Sequence, residues 1–241
     1  MRFFTILILL VSISEPALSQ TVSLDMGDGG GEVTSRILQL IALVTILSLA
    51  PSILVMVTSF TRVVVVFSFL RTALGLQQTP PNSVVISLAL FLTMFIMEPV
   101  FMQAYNNGLK PLMDEKITEE EAIEPTIAPF KTFMLKNVRE KDLGLFFELA
   151  KTDVPDKIDD TPLRIIIPAF MISELRRAFE IGFLLFIPFL IIDLMVAATL
   201  MAMGMMMLPP VLVSLPFKLV FFVLIDGWYM VVGSLVKSFG G

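Results

Sequence analysis

The chain contains neither cysteine nor histidine. Their absence excludes disulfides, thiolate nucleophiles, imidazole acid–base chemistry and most transition-metal sites. Charge is scarce as well: 16% of residues are Asp, Glu, Lys or Arg, against about 25% in an ordinary soluble domain. There is no Gly-rich phosphate loop, no Gly-x-Ser-x-Gly elbow and no cluster of metal ligands, so the sequence reads as non-enzymatic and free of cofactors. What fills it instead is apolar. The 241 residues are 56% hydrophobic with a mean hydropathy of +0.88, a membrane-class composition. A net charge of −5 and a pI near 4.8 argue against nucleic acid as a partner.

Residues 1–19 read as a signal peptide. Arg2 supplies the basic start, residues 3–13 the apolar core, and Ala17-Leu18-Ser19 the small residues before a cleavage ahead of Gln20. An apolar core of this length falls short of the ~20 residues that span a bilayer. Residues 20–35, with the Gly/Asp stretch at 25–31, form a flexible linker.

Residues 36–102 read as a first apolar helical hairpin. An apolar run from 37 to 57 contains Pro51 and continues past Arg62 to Leu74. One kinked, tilted helix bent at Pro51 accounts for it. Gln77-Gln-Thr-Pro-Pro-Asn82 is a turn, and residues 84–102 form the second helix, with a bend near Glu98-Pro99.

Residues 103–164 differ in kind, with 13 acidic and 9 basic residues, too many charges for burial in lipid. They read as a small soluble helical insertion on the periplasmic side. Thr118 and Glu121 fit a capping box, so the acidic run from Glu119 to Glu121 is a solvated first turn rather than a cation site. Phe130, Phe133, Met134 and Val138 recur at helical spacing, as do Leu143, Phe146, Phe147 and Ala150. Thr161-Pro162 is a cap followed by an N1 proline.

Residues 165–241 read as a second apolar hairpin, with helices at 181–208 and 211–236. Hydropathy alone gives an all-α chain of four spans, the mature N-terminus outside, and Arg62 and Arg71 toward the cytoplasm. Arg176 and Arg177 disagree, because they precede the third span on its outer side. Either that topology is wrong or these helices do not cross lipid in the ordinary way.

Asp193, Lys218 and Asp226 lie inside apolar runs, where an unpaired charge costs at least ~2.5 kcal/mol. Structural pairing at subunit packing, an ion relay and an aspartyl protease dyad are the three readings. The dyad lacks its Gly-x-Gly-Asp context. Lys218 and Asp226 share a helical face but are too far apart to touch, so Asp193 with Lys218 is the first pairing to seek. Between the two helices lies Met201-Ala-Met-Gly-Met-Met-Met207, closed by Leu208-Pro209-Pro210. Methionine is flexible and polarizable, so the segment is either ordinary apolar filler or a soft surface where something passes or a gap is sealed.

Two segments carry a resemblance. Pro168-Ala-Phe-Met-Ile-Ser-Glu-Leu-Arg-Arg-Ala-Phe-Glu-Ile-Gly-Phe183 and Pro216-Phe-Lys-Leu-Val-Phe-Phe-Val-Leu-Ile-Asp-Gly-Trp228 resemble the two signatures of the FliP family of type III secretion export-gate proteins. Pro168, Phe170, Glu174, Gly182, Pro216, Gly227 and Trp228 are the signature positions. The resemblance implies several copies, five by family expectation, assembled with FliQ-like and FliR-like subunits. Together they form a helical cone that is the entry channel for unfolded exported proteins. FlhB-like and FlhA-like export components complete the machinery. It further implies that the assembly sits in the bacterial inner membrane at the flagellar basal body, in contact with lipid and raised toward the periplasm. Met205, Met206 and Met207 match a gasket that seals the channel. The signal peptide favours the flagellar over the virulence branch. The alternative is a stand-alone secondary transporter of small solutes that uses the intramembrane Asp and Lys residues.

Overall fold

The computed structural model describes residues 30–205 and 207–240. The signal peptide expected at 1–19 lies outside them. Among the described residues every regular element is a helix and none is a strand, so the chain is all-α. It divides into two units, one ending at Leu49 and the other starting at Ala50. The described part of the first unit is the beginning of α1 (Gly30–Met56). Because α1 starts at Gly30, residues 30–35 of the expected linker are helical. Its Leu38, Val44 and Leu47 are exposed, while Thr45 and Ser48 return their hydroxyls to the carbonyls of Ile41 and Val44.

In the second unit the break expected at Pro51 lies instead at residues 57–59, and α1 runs through the proline. Hydroxyls compete with the helical ladder there. Thr58 Oγ1 accepts the amide of Phe60 and Thr61 Oγ1 donates to the freed carbonyl of Val55. Helix α2 (Phe60–Ala73) then becomes the centre of this unit. Its Val63, Val66, Phe67 and Leu70 form one core with Ala89 and Leu92, with Ala178 and Phe189, and with Phe222, Val231 and Leu235. Gly75, at φ +77°, closes it: the amides of Gly75 and Leu76 reach back to Thr72 and Arg71, the paired bonds of a Schellman motif.

Helix α3 (Asn82–Ala104) passes through Pro99 and widens into a π turn (Tyr105–Leu109) before the short α4 (Lys110–Met113). Gly108 sits in that turn because a Cβ there would lie 2.0 Å from Thr126 Oγ1. The neighbour is α5 (Glu119–Asn137), whose capping box joins Thr118 and Glu121 reciprocally. Helix α6 (Glu140–Ala150) follows.

These helices do not stand apart. Leu143 and Phe147 pack on Ile165 and Ala169, and Met134 packs on Ile166 and Phe170. Their platform is the first half of α7 (Leu163–Ala202). That helix starts well before the expected 181, and its 40 residues make a rod of about 60 Å. Pro162 occupies the N-cap position, so Thr161 is not the cap; its hydroxyl donates to Ile158. Arg176 and Arg177 therefore lie within a continuous helix, with Arg176 paired to Glu180 one turn on.

Helices α8 (Pro210–Leu224) and α9 (Gly227–Lys237) replace the single helix expected at 211–236 and meet at 63°. Among the described residues two helices, α3 with its continuation to Met113 and α7, are long and apolar enough to cross a membrane, and α1 carries a further apolar stretch over Ile37–Leu49. The bent pair makes a third if counted as one span. The break at 225–226 divides the last of the expected spans.

Candidate functional site

The methionine segment forms the tip of the α7–α8 hairpin. Gly204, at φ +76°, ends α7: its amide bonds to Met201 and that of Met205 to Leu200, a second Schellman closure. Pro209 and Pro210 then open α8, with proline at the first helical position. At the end of α7 and in this turn Met201, Met203, Met205 and Met207 are exposed, Met207 almost wholly so at 99%. Met206 lies outside the described residues. Among the described residues the tip is therefore apolar and exposed, with side chains that are flexible by nature.

Beneath the tip an ion pair ties the two arms of the hairpin. Lys218 Nζ donates to Asp193 Oδ2 at 2.7 Å and to the carbonyl of Ala73 at 3.2 Å. Ser214 donates its hydroxyl to the other carboxylate oxygen. Lys218 and Ser214 are buried, whereas the Asp193 side chain keeps 27% exposure. Ala73 is the last residue of α2, where helix carbonyls lack partners and the dipole favours a cation. The pair closes inside one chain and draws three helices together. Asp226 is different. It does not lie within an apolar helix but at the α8–α9 break, exposed and at φ 51°, with no ion pair among the described residues.

A second buried ionic centre joins α2 to α7 and to the C-terminal residues. Arg62 donates from Nε to Glu174 Oε2 at 2.8 Å and from Nη2 to Oε1. Its Nη1 donates to the carbonyl and hydroxyl of Ser238, and the guanidinium lies 3.6 Å from the Phe239 ring centroid. Both charged side chains are fully buried. Reading Arg62 as a cytoplasmic-side flank missed this. The signal was present, since an arginine inside a valine run must be paired just as Asp193 must.

A third centre pins α6 to α7. Asp142 accepts both prongs of the Arg139 guanidinium, at 2.7 and 2.8 Å, and the hydroxyl of Ser173 at 2.6 Å. Burial pushes the Asp142 carboxyl up, but the hydrogen bonds from Ser173 and Arg139 outweigh it and hold the group below the usual carboxylate range. Among the described residues no group of three acidic side chains could hold a metal.

Apart from Glu174, the signature positions are seen in helix packing. Phe170 is fully buried and meets Phe133 edge-on. A Cβ on Gly182 would lie 2.6 Å from the Phe69 ring, and one on Gly227 2.1 Å from the Phe222 ring. Trp228 stacks edge-to-face on Phe222 and on Phe67. Pro168 and Pro216 sit inside α7 and α8.

The chain is similar to known proteins over most of its length. The FliP family matches the chain over residues 43–235. The flagellar biosynthetic protein FliP of Caulobacter vibrioides is 59% identical, over 92% of this chain and 84% of its own length. That of Bacillus subtilis is 55% identical over 86% and 94%, and that of Rhizobium meliloti 49% over 99% of each. The match takes in the Asp193–Lys218 pair, the Arg62–Glu174 pair and the glycines that let the helices close on them, and the chain belongs to the FliP family.

Proposed function

We propose that this chain is a channel subunit of the flagellar type III export gate, through which unfolded flagellar proteins leave the cell. One observation carries the reading. The chain pairs its buried charges internally yet leaves its apolar helices uncovered, with only 11% of the most apolar stretch of α7 buried within the chain. Phe183, Leu184, Leu190, Ile191 and Leu194 all face outward. A surface of that kind is covered by lipid or by further subunits. In this reading several copies, five by family expectation, pack side by side with FliQ-like and FliR-like subunits, raised toward the periplasm. They hand substrates on from FlhB-like and FlhA-like components. The hairpin tips with Met205, Met206 and Met207 converge on the axis as the seal. The pairing of Asp193 with Lys218 and Ser214 argues against an ion relay, which needs a group free to exchange its charge.

Extraction in mild detergent followed by mass measurement tests the proposal. The expected result is a large ring containing several copies and the smaller subunits. A monomer or dimer that supports solute uptake in vesicles would overturn it in favour of a transporter.

A further inference from the structure

Beside the α8–α9 break lies a cavity of about 360 Å³, within the range of small-molecule clefts. Leu70 of α2 and Leu74 just after it, Val85 and Leu88 of α3, and Leu219 and Phe222 of α8 form its walls. A carbon-lined void of that size is unfavourable when empty, because its lining loses packing partners and water gains no hydrogen bonds there. Arg71, on the last turn of α2, is the one charged residue among those lining it. Its Nη1 donates to Asn82 Oδ1 and, at 3.4 Å, to the carbonyl of Pro80. Those contacts steady the guanidinium, and its Nε and Nη2 make no hydrogen bond among the described residues. At the rim of the cavity Val84 and Val223 are exposed, as is Leu224 next to it, so an apolar edge continues its walls, while Asp226 is exposed at the neighbouring break.

We propose that this cavity holds an acyl chain of an anionic phospholipid, with the phosphate bound by Arg71. Carbon walls suit an alkyl chain and offer nothing to a polar ligand. A steadied guanidinium with two unused donor groups suits a phosphate, which it can grip through parallel N–H bonds. The proposal needs a membrane but not an assembled channel, so its failure would leave the subunit reading untouched, and the reverse holds too.

Trp228 lines the same cavity and is the single tryptophan of the chain, which supplies a reporter. The full chain is reconstituted in phosphatidylcholine vesicles doped with brominated phosphatidylglycerol or, separately, brominated phosphatidylcholine, and Trp228 fluorescence is followed. The expected result is about fivefold to tenfold stronger apparent binding of the anionic lipid. Arg71→Gln should erase that preference, while Arg71→Lys keeps part of it. Val84→Phe, at the exposed edge, should weaken quenching by both lipids. Equal quenching in wild type, or a preference that survives Arg71→Gln, would overturn the proposal. So would a tryptophan shielded from both lipids, which would mean that protein covers the cavity. Abolition of the preference by inorganic phosphate alone would reduce the site to an anion site and overturn the lipid assignment.

Discussion

At the scale of single residues the chain is governed by close approach and by charge satisfaction. Three glycines separate these effects. Gly227 has the Phe222 ring where its Cβ would be, and that ring is itself held by Phe189 and Trp228. Gly182 faces the less confined Phe69, and Gly233 has open space. Gly227→Ala should therefore destabilise by about 1–3 kcal/mol or more through overpacking. Gly182→Ala should cost less, and Gly233→Ala should be neutral or stabilise by up to about 1 kcal/mol. Denaturant unfolding in detergent would rank the three, and any other order would refute the packing account. Charge gives a sharper contrast. Glu174→Ala leaves the Arg62 guanidinium buried without its carboxylate, for a loss of about 3–5 kcal/mol. Replacing both partners with Met and Leu should cost far less. If the double variant were as unstable as the single one, the pair would matter for its shape rather than its charge.

At the scale of elements, legibility followed distance along the chain. The capping box at Thr118 and Glu121 was legible because its partners lie three residues apart and need nothing else. The helix break near residue 58 was not. Pro51 is the stronger breaker by composition, but the hydroxyls of Thr58 and Thr61 act only once the neighbouring helices bury them. The separation at 225–226 was hidden for a similar reason. Asp226-Gly227 looks like a polar interruption of one helix until the Phe222 ring claims the space over Gly227. Of the ionic centres, Asp193 with Lys218 could be sought from the sequence because both charges stand out in apolar runs. Asp142 with Ser173 could not, since neither is unusual in its own segment and they are brought together only by α6 docking on α7.

That docking has a pH dependence with a definite sign. The Asp142 carboxyl is held below its ordinary value of about 3.9 in the folded chain. Its contribution is therefore complete above that value and is lost as the pH falls through the lower folded one. An acid-active protease should leave the connection between α6 and α7 intact near pH 5 and cut it faster as the pH falls below about 4. In Asp142→Asn the cutting should start fast and change little with pH. A wild-type profile flat down to strong acid would show that the clasp does not hold α6 in place.

For the whole molecule the question is what the uncovered apolar surface and the bare methionine tip are for. The fold itself was legible as all-α from periodicity, but nothing in one sequence places several tips at one axis, and the gasket role came from resemblance alone. The physical case for it is that an apolar constriction resists wetting and so blocks ions without a rigid plug. Methionine does this while yielding to a passing chain of any sequence, because its rotamers re-pack at little cost. Gly204 and Pro209–Pro210 fix where the tip begins and ends, so side chains can be exchanged without moving the helices. Replacing Met205, Met206 and Met207 by Ala should leave assembly intact, raise ion leakage through the resting channel and slow growth, with export reduced only partly. Replacing them by Phe should keep the seal and impede export. Planar-bilayer conductance on the purified assembly separates the outcomes. A triple-Ala complex of normal mass that held ions as tightly as wild type would make the methionines packing residues and leave the seal to be sought elsewhere on the axis.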